Sequence, residues 1–218
     1  MSSDTIKAAY AAYLSGRGYS ARMDVVLPGT DIMIDVAVVL PRMRDLKKRL
    51  KRGFVPTGIL QFLIGVDWIG IEKIIAQTGY EEGYVASLMK ESVENGWVEM
   101  EAKDGVPHFQ LLDYHIPARE CILAFDGTND LRDKMTRLAK LAGCYHRSNF
   151  IFPYALDRDT TEQIVGMGAG IIRYYRDYGV FHDIVPAEAN EIDDLRRFAL
   201  IAEYILYNNV WIMTEETI

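Results

Sequence analysis

"ARMDVVLPGTDIMIDVAVVLP", residues 21–41, decides how this chain is read. Two runs rich in β-branched residues meet at Pro28-Gly29-Thr30, turn chemistry that folds an extended chain back on itself, so the stretch predicts a β-hairpin. In the second run Ile32, Ile34, Val36 and Val38 share one face, and Met33, Asp35, Ala37 and Val39 share the other, because strand side chains alternate. Both faces are apolar apart from Asp35. Such a strand belongs in the middle of a sheet, and a charge placed there must be paired or put to use. Asp35 is therefore either a hydrogen-bonded or cation-paired strand residue, or a metal ligand. Pro41 closes the strand.

Ahead of the hairpin, Ile6, Ala9, Tyr10, Tyr13 and Leu14 follow helical spacing, with Ser3 or Asp4 as cap and Gly16 and Gly18 as the stop. Behind it comes "PRMRDLKKRLKRG", residues 41–53, with Arg42, Arg44, Lys47, Lys48, Arg49, Lys51 and Arg52 set against one acid, Asp45. On a helix from Met43 to Arg52, Arg44, Lys47, Lys48 and Lys51 form one continuous stripe. Self-repulsion in that stripe is relieved by solvent, by acidic neighbours or by a polyanion. Intramolecular salt bridging and nucleic-acid contact are the two readings.

Charge reverses at Gly53. Residues 1–52 carry a net +5, residues 53–113 a net −7 and residues 114–218 a net −5, within a chain of net −7. That reversal marks a module boundary. Within residues 57–113, "TGILQFLIGV", "WIGIEKIIAQTG" and "YEEGYVASLMKESVENG" predict three helices, and "WVEMEAKDGVPHFQLLD" predicts two strands joined at Lys103-Asp104-Gly105. Three helices followed by a two-stranded wing resemble the winged-helix form of the helix-turn-helix module. Its third helix carries Glu81, Glu82, Glu91 and Glu94 against Lys90, with Ser87 and Asn95 neutral. That balance repels phosphate and points to protein contact or domain packing.

The rest alternates strand and helix, which predicts an α/β core. "ARECILAF" is a buried strand. "DLRDKMTRLAKLAG" is an amphipathic helix with Leu131, Met135, Leu138 and Leu141 inward. "NFIFPYAL" is a strand, and "DTTEQIVGMG" a helix capped by Asp159 or Thr160. "AGIIRYYRDYGVFHDIVPAE" is a strand pair. The apolar final helix, "FALIAEYILYNNVWIM", offers a face for a homodimer.

With half its 218 residues hydrophobic and a quarter charged, the chain has the composition of a globular protein. Its longest apolar stretch is broken by Asp67, Glu72 and Lys73, so no membrane role is expected. "MSSDTIKAAY" lacks the pattern of a signal peptide, and two cysteines do not make a disulfide framework, so a cytoplasmic setting is expected.

Without residues 53–117 the order is helix, hairpin, strand, helix, strand, helix, strand. That order, with "GYSARMDVVLPGTDIMIDVAVV", "LRDKMTRLAKLAGCYHRSNFIFPYAL" and "GMGAGIIRYYRDYGVFHDIVPAE", resembles the restriction-endonuclease-like (PD-(D/E)xK) superfamily. The resemblance implies an α/β fold in which a mixed sheet is flanked by helices. It places a discontinuous nuclease-like core at 1–52 and 118–218 and an inserted winged-helix domain at 53–117. It also implies Mg²⁺ held by carboxylates, with a lysine helping to position water. Asp35 matches the first carboxylate. The acid-any-lysine motif belongs on "ARECILAF", which has no lysine; Glu120 comes early on it and Asp126 just after it. Asp35, Glu120 and Asp126 are thus the candidate metal ligands, with Mg²⁺ expected only if nuclease activity is retained and otherwise no cofactor. Arg132, Lys134 and Arg137 add a second basic set on the later helix, and the resemblance implies that it and the first stripe flank a DNA cleft.

The expectation is a non-catalytic nucleic-acid-binding protein, with double-stranded DNA as the partner, on a degenerate nuclease-like scaffold. It would serve as a regulator or as a subunit of a DNA-processing assembly. A Mg²⁺-dependent nuclease with an atypical site is one alternative, and a protein-interaction scaffold using the acidic winged helix is the other.

Overall fold

The computed structural model describes residues 3–27 and 30–213. The hairpin's turn residues Pro28 and Gly29, and the capping side chain of Ser3, lie outside the described residues. The chain divides into two compact units, one of residues 1–41 with 118–218 and one of residues 42–117.

The first unit is α/β. Helix α1 (Ser3–Ser15) precedes β1 (Ser20–Val26) and β2 (Met33–Pro41), and the chain returns in β6 (Ala118–Asp126). Next come α6 (Leu131–Lys140), β7 (Arg147–Phe152), α7 (Arg158–Val165), β8 (Gly170–Tyr175), a short 3-10 turn (Arg176–Tyr178), β9 (Val180–Val185) and α8 (Leu195–Met213). The six strands form one mixed sheet in the order β1-β2-β6-β7-β8-β9. The β1–β2, β2–β6 and β8–β9 pairs are antiparallel, while β6–β7 and β7–β8 are parallel and cross over through α6 and α7.

Strand β2 is central because both of its faces are covered. Val36 and Val38 join Ile122 and Ala124 in a core closed by Ile6, Tyr10 and Leu14 of α1. On the opposite face Ala37, Val39, Cys121, Leu123 and Phe125 are fully buried as well. Helix α8 packs on β1, β2 and β6, and its Phe198, Leu200, Ile201, Ile205 and Leu206 are buried. The apolar residues of this helix from Phe198 to Leu206 thus contribute to the unit's own core. The cap of α7 also differs from expectation. Asp157, not Asp159 or Thr160, is the N-cap, its carboxylate accepting from the Thr160 amide at 2.8 Å.

The second unit holds α2 (Met43–Arg52), α3 (Thr57–Leu63), β3 (Ile69–Gly70), α4 (Ile71–Thr78), α5 (Glu82–Glu94), β4 (Val98–Lys103) and β5 (Val106–Leu111). Its three strands are antiparallel in the order β3-β5-β4. The β4–β5 hairpin closes through Asp104-Gly105, both with positive φ (53° and 80°), as a two-residue turn with right-handed strand twist demands. The basic helix belongs to this unit. The break between units falls at Pro41/Arg42, not at the charge reversal at Gly53, because side-chain contacts rather than charge bind α2 to Trp97, Asp113 and Tyr114 of the same unit.

Candidate functional site

Two places hold the residues singled out by the sequence, one in each unit. In the α/β unit, Val36 pairs with Ala124 across β2 and β6, so Asp35 lies beside the C-terminal end of β6. Asp35 Oδ2 accepts from the Asp126 amide at 2.9 Å and stands 2.8 Å from Lys134 Nζ. The same ammonium donates to the Asp126 carbonyl oxygen at 2.7 Å. The carboxylate of Asp126 turns away to cap its own loop, accepting from the Thr128 amide at 3.0 Å and the Thr128 hydroxyl at 2.8 Å. All three ionisable residues are buried, Asp35 at 4 %, Asp126 at 1 % and Lys134 at 7 % exposure.

This arrangement separates the three candidate metal ligands. Glu120 lies six residues before Asp126 on β6, a distance of about 20 Å along an extended strand. It accepts from the Tyr19 hydroxyl at 2.7 Å and faces Arg147 at 3.5 Å. Burial, together with the hydrogen bond to Glu120, pushes the Tyr19 phenol up to about 12. The residues around Asp35 do not fit Mg²⁺. A hard cation needs several oxygens converging on one point, and here Asp35 is engaged by an ammonium while Asp126 offers only its peptide groups. Among the described residues no cluster of three or more His, Cys, Asp or Glu side chains is placed to hold a metal ion. Chemically the site is a neutral, hydrogen-bonded ion pair tying β2, β6 and α6 together.

Lys134 was expected among the nucleic-acid contacts, and its burial removes it from them. The sequence carries a signal for this: Lys134 lies on the same helical stripe as Leu131, Leu138 and Leu141, so it points inward, and the lone acid of β2 is its natural partner. Arg137 pairs with Asp133 on its own helix and reaches the Met33 carbonyl at 3.5 Å. Arg132 stays exposed.

In the second unit the basic helix splits into an inner and an outer set. Arg49 is 1 % exposed. Its guanidinium stacks 4.7 Å from the Trp97 ring and 5.1 Å from the Tyr114 ring, and it donates to the His115 carbonyl at 2.8 Å. Planar, always charged and weakly hydrated, a guanidinium tolerates such a place as an ammonium does not. Trp97, itself fully buried, donates its indole N–H to the Gly53 carbonyl at 2.9 Å. Lys48 pairs with Asp113 at 2.9 Å, and the ammonium beside Asp113 holds that carboxyl below its usual value. Arg49 is thus structural, contrary to the expectation of phosphate contact, and Lys48 is partly spent. Arg42, Arg44, Lys47, Lys51 and Arg52 remain exposed, with Arg52 lying 5.4 Å from the Trp97 ring. The structural role of Trp97 was missed, since no motif in the sequence ties it to the basic helix.

Helix α5, with Glu81 at its N-cap, exposes Glu81, Glu82, Tyr84, Ser87, Lys90, Glu91 and Glu94. Acids outnumber bases there, as the sequence indicated.

No family model, no curated protein and no solved structure matches this chain. Its function must be argued from its own residues.

Proposed function

We propose that the chain is a non-catalytic nucleic-acid-binding protein. On this reading it has a restriction-endonuclease-like scaffold whose catalytic centre is replaced by a structural ion pair, and it carries an inserted winged-helix module. The observation that carries the proposal is the exposed outer set at α2: five cations, Arg42 at the helix N-cap and Arg44, Lys47, Lys51 and Arg52 within the helix. Their inner neighbours Lys48 and Arg49 are fixed by Asp113, Trp97 and Tyr114, which anchors the helix without neutralising the outer set. A cluster of exposed cations with no ion-pair partner among the described residues suits the regular charge spacing of a duplex backbone, and double-stranded DNA is the preferred partner.

Three features support the scaffold and the absence of catalysis. The Asp35 strand is adjacent to β6, as the resemblance requires. The succession of three helices and a tight β-hairpin in residues 57–111 supports reading this module as a winged helix. Lys134 engages the Asp35 oxygen that a metal ion would need. With acids prevailing on α5, the nucleic-acid face of the module is α2, not the third helix.

The test is a fluorescence-anisotropy titration of a labelled DNA duplex at several salt concentrations, with Mg²⁺ and with EDTA. Five engaged phosphates predict a slope of log K against log salt of about −4 to −5, with the DNA left intact. Reversal of Arg44, Lys47 and Lys51 to Glu should abolish binding and leave folding unchanged. Absence of binding at low salt, or Mg²⁺-dependent cleavage lost in Asp35→Ala, would overturn the proposal.

A further inference from the structure

Beyond nucleic-acid binding, the second unit contains a groove whose chemistry is the opposite of α2. It occupies about 470 Å³ between α4, the start of α5 and the β4–β5 turn. Half-buried Ile71, Ile75, Val106 and Pro107 and exposed Ala76 give it apolar lining, and the exposed Glu72 and Glu82 line it as well. No basic side chain lines it among the described residues. Neither Glu72 nor Glu82 is held in an ion pair among the described residues. The pairs Lys90–Glu94 at 3.8 Å and Lys103–Glu101 at 3.7 Å serve other carboxylates, outside the groove.

We propose that this groove docks a lysine or arginine side chain from a basic segment of a protein partner. Apolar and acidic lining match the two halves of such a side chain, whose methylene stem packs on hydrocarbon while its head meets the carboxylates. Two carboxylates are too few for a dehydrated metal ion, which requires a shell of oxygens that these apolar side chains cannot supply. A nucleic acid is repelled by the same acids. Exposed Glu81, next to Glu82 in the chain, continues the negative charge beyond the groove, so a segment with several cations gains more than a single one. The unit thereby presents a cationic helix to a polyanion and an acidic groove to a polycation, two surfaces of opposite sign on one small fold.

A short fluorescein-labelled peptide of Lys, Arg, Leu and Gly, titrated against the full chain, tests this, with its Glu-for-Lys/Arg counterpart as control. Ala76 is exposed, so Ala76→Trp fills the groove without entering the core. That variant and the Glu72→Gln/Glu82→Gln pair should each weaken peptide binding by about tenfold or more, the loss expected for a specific contact. Glu91→Gln/Glu94→Gln removes the same charge away from the groove and should change affinity less than about twofold. Equal losses in both double variants would assign binding to diffuse charge and overturn the proposal, as would absence of peptide binding. Self-association abolished by Ala76→Trp, seen by sedimentation without peptide, would instead make the occupant α2 of a second copy, and would overturn it too. None of these outcomes depends on DNA binding by α2, so the two proposals fail separately.

Discussion

Lys134 Nζ lies 2.8 Å from Asp35 Oδ2 and 2.7 Å from the Asp126 carbonyl oxygen, so one ammonium ties helix α6 to the neighbouring strands β2 and β6. Removing one partner of a buried ion pair strands the other charge away from water, whereas removing both strands neither.

Lys134→Met should therefore destabilise the α/β unit by about 3–5 kcal/mol, the usual cost of breaking a buried pair. Asp35→Asn/Lys134→Met should recover a large part of that loss. Urea unfolding of the two single variants and the double variant checks the coupling. Additive effects would mean that the pair is energetically idle.

Gly127 comes directly after the acid that caps its own loop, and its amide donates to the Ile151 carbonyl at 2.9 Å. A Cβ at this position would lie only 2.0 Å from Phe152 Cε1 and 2.1 Å from its Cζ. Gly127→Ala should cost about 1–3 kcal/mol through overpacking. Combined with Phe152→Leu, which vacates the space, the cost should be smaller than the sum of the two single changes. Thermal melts of all three variants measure this.

In the second unit, Arg49→Lys keeps the charge and loses the planar stack on Trp97 and Tyr114. A loss of about 2–4 kcal/mol is expected, since a buried ammonium cannot replace the guanidinium's contacts. Lys47→Ala, on the exposed side of the same helix, should stay within about 0.5 kcal/mol. Chemical denaturation monitored by Trp fluorescence distinguishes the inner from the outer set.

Alkaline pH should weaken the α/β unit, with Tyr19 and Lys7 among the groups responsible. Burial raises the Tyr19 phenol to about 12, helped by its bond to Glu120, so the unfolded chain loses this proton first. Stability then falls as pH climbs from the ordinary tyrosine value of about 10 toward 12. Burial alone would lower Lys7, but hydrogen bonds to Asp24 and Asp4 outweigh it and raise the ammonium above 10.5. Its contribution is complete below 10.5 and is lost as pH rises through the folded value. Tyr19→Phe should flatten the stability profile between about pH 10 and 12 and remove one late phenolate transition from the ultraviolet titration.

Alternation in residues 31–41 alone made β2 a doubly covered strand with one anomalous acid, and helical spacing alone placed α1, α2, α5 and α6, because local periodicity reports which face of an element meets the core. The same spacing could have turned Lys134 inward, since it shares a stripe with Leu138 and Leu141.

Composition and periodicity therefore determined the α/β class, the separate module after the hairpin and the clustering of positive charge on α2. Tertiary structure alone decided what those charges do. Trp97 lies far from Arg49 in sequence, and Lys134 far from Asp35. Whether a cation is buried against a ring, paired with an acid or left to solvent depends on which distant surface arrives beside it. Side-chain charge is a local property of the chain, whereas its neutralisation is a property of the fold.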